Sequence, residues 1–168
     1  MTFSLYAASV PVYGKLLGAL AAMLDKADAH AAANKIEPAA LLDARLFPDM
    51  WPLKQQVMAT TNHVFRGMAR IAGLPIPTIG DAAGSFEDLK QRIEATLAFI
   101  KTIDRAAIEA GVSREITFPI GEDKRTMTGQ QYFLTFSLPN FYFHLTTSYD
   151  ILRHNGVPLS KVDFLGGI

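Results

Sequence analysis

The sequence predicts an all-α protein, a four-helix bundle carrying one small β-hairpin, on three observations. Phe86, Leu89, Ile93, Leu97 and Ile100 follow 3-4-4-3 spacing, the stripe of a helix packed in a bundle. Thr128 and Gln131 form a capping-box pair opening a dense apolar stretch, which Gly156 and Pro158 close. Between these helices ITFPI and KRTMT flank Gly121-Glu122-Asp123, the pattern of a two-stranded hairpin.

The remaining elements follow in chain order. Val12, Leu16, Leu20, Met23 and Ala27 recur at helical spacing, giving helix 1 over about Phe3 to Ala29, with Pro11 expected to kink it or delay its start. His30 to Trp51 is a long connection in which PAALLDARLF predicts a short helix opening at Pro38. Its length suits a crossover between helices 1 and 2 better than a tight antiparallel turn. Helix 2 runs from about Pro52 to Ala72, with Asp49 available as its cap. The loop Gly73 to Ser85 has no periodicity, and Ser85 caps helix 3, which extends to about Ala110 before Gly111. Helix 4 spans Thr128 to Gly156, with a kink expected just before Asn140 because Pro139 lacks an N–H. In the tail, Val162, Phe164 and Leu165 are expected to dock on the bundle.

With 168 residues, 49% of them hydrophobic, the chain is expected to form a single domain over 1–168. Lysine plus arginine and aspartate plus glutamate each count 16, so neither a nucleic-acid nor a polybasic membrane footprint is implied. Zero net charge also eases self-association. The absence of cysteine removes thiolate nucleophiles and sulfur-rich metal sites. The N-terminus lacks the basic opening of a secretory signal, and the run Leu16 to Leu24 is too short to span a bilayer. A cytoplasmic protein without nucleic-acid or membrane partners is expected.

Several chemistries find no motif. No Glu-x-x-His pair supports a di-iron bundle, no His-x-x-x-His supports a helix-borne zinc site, and no Gly-x-Ser-x-Gly elbow is present. What stands out is a pair of mid-helix histidines, His63 on helix 2 and His144 on helix 4. Asn140, His144, Thr147, Ser148 and Ile151 share one face of helix 4, a polar stripe on an apolar helix. Buried polar groups need partners, so Asn140, His144 and Thr147 are expected to meet polar groups of a neighbouring helix, with His63 the natural one. Two neutral imidazoles facing one another can share a divalent ion; the alternative is that each only satisfies a core hydrogen bond.

The segments FPDMWPLKQQV (Phe47 to Val57) and NFYFHLTTSYDILRHNGVPLSKVDFLG (Asn140 to Gly166) resemble the DinB/YfiT-like superfamily of four-helix metalloenzymes. Within it the chain looks most like an uncharacterised bacterial branch, a domain of unknown function. The resemblance covers essentially the whole chain and implies the DinB-like bundle with its crossover and hairpin. Members of the superfamily hold a metal with one histidine from helix 2 and two, four residues apart, from helix 4, ahead of a Leu-Arg-x-x-Gly segment. Counted back from Leu152, Arg153 and Gly156, His144 matches the second of these, Asn140 stands at the first, and His63 matches the helix-2 ligand.

The resemblance thus implies a degenerate His/His/Asn site. Either one divalent ion, nickel or zinc, is weakly held by His63 and His144, or none is; both stay open. On the first reading the protein is a metal-assisted transferase acting on a small thiol, or a hydrolase. In a metal-free variant His144 serves as the catalytic base. Asn140, Gln56, Arg66, Thr147 and Tyr142 are the expected ligand-binding residues, with Gln56 and Arg66 orienting an anionic or amide group. On the second reading the chain is a non-catalytic bundle, a homodimer binding a small ligand or partner, its histidines forming a polar core network.

Overall fold

The computed structural model describes residues 4–167. Helix α1 (Leu5–Asn34) begins where the Ser4 hydroxyl accepts the Ala7 amide. Its start precedes Pro11, so the proline does not delay it. It runs beyond Ala29 because Ala31, Ala32 and Ala33 keep helix propensity high, and it ends at Lys35 in the left-handed conformation, φ 55°. Helix α2 (Pro38–Leu42) opens on its proline and buries Leu41 and Leu42. Helix α3 (Leu53–Ala72) is capped by Pro52 without a side-chain bond, so Asp49 is not its cap, and Gly73 at φ 70° ends it.

The third predicted helix is divided. Helix α4 (Phe86–Thr102) carries a complete Ser85–Asp88 capping box, then Ile103 turns extended and Asp104 caps a separate α5 (Arg105–Ala110). Asp104 accepts the Ala106 amide, offering the chain a fresh helix start that competes with continuation. Strands β1 (Glu115–Ile120) and β2 (Asp123–Thr128) pair antiparallel with Glu115 opposite Thr128, turning at Gly121. Ile116 and Phe118 face inward. A Cβ at Gly129 would collide with the Gly111 carbonyl, and one at Gly111 with the Ile71 carbonyl. Glycine at both positions therefore lets the hairpin sit against the end of α3.

The fourth helix differs from a simple kink. After the Thr128–Gln131 capping box, α6 (Gly129–Tyr132) passes into a π-turn over Phe133–Ser137 and then into α7 (Leu138–His154). The extra residue of the π-turn absorbs the frustration at Pro139, leaving it in the first turn of α7, where a missing N–H is harmless. A final short helix, α8 (Lys161–Phe164), sets Phe164 edge-on to Tyr149 and joins Asp163 to Lys26 at 2.6 Å, whereas Val162 stays exposed.

Helix α1 packs on α4 and α7, and α3 packs on the same two. The consecutive long helices α1 and α3 therefore lie diagonally, which requires the long connection between them. By length and mean hydropathy (1.5) α1 meets the criterion for a membrane span, more than the short run Leu16 to Leu24 suggests; its leucines face the bundle core. The hairpin and the π-turn lie over the α3–α7 side, where the histidines are.

Candidate functional site: a histidine pair beside a cationic cleft

His144 on α7 lies between two rings from the α3 side. Its centroid is 5.6 Å from that of Trp51 with planes 12° apart, and 5.6 Å from that of His63 with planes 15° apart. Trp51 precedes Pro52 at the entry to α3, so a loop residue completes the stack. Phe136 closes it from the π-turn, edge-on to His63 at 5.7 Å.

The hydrogen bonds fix the tautomer of His144. The Trp51 carbonyl can only accept, so the Gln56 NH2 must face it, at 3.0 Å. The Gln56 oxygen then faces His144 Nδ1 at 2.8 Å, and Nδ1 must carry the proton. Neutral His144 thus keeps its lone pair on Nε2. Ser137 donates to the His63 carbonyl at 2.9 Å, tying the π-turn to α3. Among the described residues no group hydrogen-bonds the His63 ring.

Both imidazoles are held neutral. Burial, then the neighbouring His144, Arg66 and Arg70, lowers the His63 pKa to about 4. Burial lowers that of His144 as well. At pH 7 the pair presents lone pairs, not charge.

His63 forms one wall of a cleft of about 250 Å³, which Trp51, Asn62, Arg66 and Arg70 share with Phe118, Tyr132 and Phe136. Arg70 donates to the Tyr132 hydroxyl at 3.1 Å, and Arg66 lies over the Phe65 ring at 5.8 Å. Behind the wall Arg92, buried on α4, donates to Asn62 Oδ1 at 2.7 Å and to Thr61 at 2.8 Å.

The predicted site residues separate into two groups. His63, His144, Gln56 and Arg66 come together. Gln56, however, is buried and its amide is fully engaged between Trp51 and His144, so it orients the histidine instead of a ligand. Asn140 and Thr147 do not reach the neighbouring helix. Asn140 donates to the Phe136 carbonyl and Thr147 to the Phe143 carbonyl, each at 2.7 Å, because a carbonyl one turn back on the same helix is always in reach. Tyr142 lies outside the cleft, exposed and packed on Phe141. Ser148 likewise bonds its own helix, to the His144 carbonyl. Trp51, Asn62 and Arg70 were not foreseen. Asn62, Arg66 and Arg70 recur every four residues, a visible signal; the cleft contributions of Phe118 and Tyr132 depend on where the hairpin docks.

The donor set does not fit a tightly held resident dication. Two imidazoles stand beside two guanidinium groups, and among the described residues no cluster of three His, Asp or Glu side chains could hold an ion. Asn140 offers at most a neutral amide oxygen, a weak ligand for metals that favour imidazole.

The chain matches the DUF1993 domain of unknown function over residues 5–165. It is similar to a crystal structure of a DinB family member protein from Shewanella denitrificans at 34% identity, with a TM-score of 0.91 over 98% of this chain and 93% of that one. Comparison with curated proteins gives no match. With the bundle, the crossover and the hairpin all in place, the chain belongs to the DUF1993 family of DinB-like domains of unknown function.

Proposed function

We propose that the cleft that α3 forms with the hairpin, α6 and the π-turn is a small-molecule site in which the neutral His63/His144 pair accepts a proton from the bound molecule. One observation carries this reading: the Trp51–Gln56–His144 hydrogen-bond chain keeps the proton on Nδ1 and so leaves Nε2 free to accept one. A base held neutral at pH 7 is available for this without first losing a proton. His63 supplies the unpartnered ring on the cleft wall, and His144, which does not itself line the cleft, stacks on that ring at 5.6 Å as the oriented base behind it.

A second reading, metal-assisted transfer onto a small thiol or hydrolysis, draws on the 5.6 Å spacing of the two imidazoles. It lacks a third donor and an anionic ligand. The test is the metal content of the untagged protein after loading with zinc, nickel and manganese and exhaustive dialysis, beside His63→Ala and His144→Ala. The proton-acceptor reading expects no stoichiometric ion in any of the three proteins. One equivalent retained by the wild type and lost by both variants would replace it with the metal reading.

A further inference from the structure

Among the described residues no arginine makes an ion pair, those around the cleft included, although Asp81 is near enough to Arg92 to act on its charge. In this chain 16 acidic residues balance 16 basic ones, and lysines readily find carboxylates: Lys26 with Asp163, Lys54 with Asp43, Lys90 with Asp25 and Glu87. Among the described residues none of Arg66, Arg70 and Arg92 makes such a pair. Arg92 is almost fully buried, yet it donates only to neutral acceptors: Thr61, Asn62 and the carbonyls of Ile79 and Gly80. Arg66 and Arg70 are like charges lining one cleft, with Arg92 behind its wall, and such a group is mutually unfavourable unless something negative joins it.

Asn62 adds direction. Its oxygen accepts from Arg92, so what it has left for the cleft it lines is its NH2 group. No acceptor among the described residues takes that group. Asn62, Arg66 and Arg70 stand at i, i+4 and i+8 of α3 and so form one row of donors along a helix face. Opposite them the walls are flat and apolar: Trp51, Phe118, Tyr132 and Phe136. At about 250 Å³ the cleft suits a compact ligand, since drug-sized ones occupy about 300 Å³ or more.

We propose that the cleft recognises a small organic oxyanion, a carboxylate or phosphate ester on a flat apolar body, through Arg66, Arg70 and the side-chain amide of Asn62. Arg92 is the positioning residue that holds Asn62 with its NH2 toward the ligand. Guanidinium forks match the paired oxygens of either headgroup, and the aromatic walls take the body. The proposal rests on the cleft's being a small-molecule site and adds the charge of the molecule.

Calorimetric titration of the full chain with benzoate, phenyl phosphate and neutral benzamide tests it. Benzoate or phenyl phosphate is expected to bind at least about tenfold more tightly than benzamide, and which of the two wins identifies the headgroup. Arg66→Gln and Arg70→Gln are each expected to weaken the anion by roughly tenfold without changing benzamide binding. Asn62→Asp separates binding from folding: its carboxylate pairs with Arg92, so thermal stability is maintained or raised, while the anion loses a donor and meets a like charge. Arg92→Lys keeps the charge but not the fork, and is expected to weaken the anion while leaving benzamide unmoved. Equal binding of benzoate and benzamide would overturn the oxyanion proposal and leave the small-molecule site standing. Failure of all three probes to bind would remove both.

Discussion

The two sides of this bundle solve different problems. Where α1 faces α4, the interior is apolar, built from Leu17, Leu20, Met23, Leu24, Leu89 and Ile93, and charge is confined to the surface, as in the Asp25–Lys90 pair at 2.8 Å. Where α3 faces α7, Gln56, Thr60, Thr61, His144, Thr147 and Ser148 are all buried. Half of these groups, Thr60, Thr147 and Ser148, only bond back to their own helix, which satisfies them and commits them to nothing else. Members of this set make two links to another helix: Gln56 to His144, and Thr61 to Arg92, which also holds Asn62. The second reaches the cleft through Asn62, which lines it, and the first through His144, which stacks on the lining residue His63. A buried polar residue here points to function when its partner lies on another element, not merely because it is buried.

The contrast can be broken by mutation, most severely on the apolar side. Leu24→Ala should cost about 2–5 kcal/mol in urea unfolding, from lost transfer energy plus a cavity, and leave the Trp51 emission of the folded protein unchanged. The histidine side should show itself through pH. An unfolded histidine takes a proton near pH 6.5 and folded His63 only near 4, so the unfolded chain binds more protons in between. Stability is therefore full above about pH 6.5, falls as pH drops through that window by about 2–3 kcal/mol, and levels off near 4; His63→Gln should flatten the slope. His144, shifted the same way, adds to it with the same sign. Gln56→Met should cost less, about 1–2 kcal/mol, by leaving the Nδ1 proton of His144 without an acceptor. It should also shift the emission of Trp51, the sole tryptophan, which stacks on that ring. On the surface, Lys90→Ala should leave the urea midpoint unmoved, since exposed ion pairs contribute little.

Elements with local signals were legible in the sequence. The Thr128–Gln131 capping box, the Pro38 helix start, the hairpin and the stripe from Phe86 to Ile100 all appear where periodicity and caps put them. Errors arose where two local signals compete. Asp104 restarts a helix that the apolar spacing alone would continue, and a π-turn relieves Pro139 before the expected kink. In the site, the meeting of His63 and His144 was legible because His144 interrupts an apolar stretch and needs a polar neighbour on another helix, although the side chain that hydrogen-bonds it is Gln56 and His63 only stacks on it. The roles of Asn140 and Thr147 were not, since a helix face does not reveal whether a side chain turns outward or back to its own carbonyl. Trp51 and Phe118 reach the cleft through a loop and a hairpin, and tertiary docking of that kind leaves no periodic trace.

The central claim is that His144 is a neutral, oriented base, and long-range proton–nitrogen NMR correlation of histidine-labelled protein at pH 7 addresses it directly. The account predicts that both His63 and His144 are uncharged, and that the single ring proton of His144 is on Nδ1, with Nε2 showing the shift of a bare lone-pair nitrogen. A charged His144 imidazolium, or a neutral ring protonated at Nε2, would contradict it.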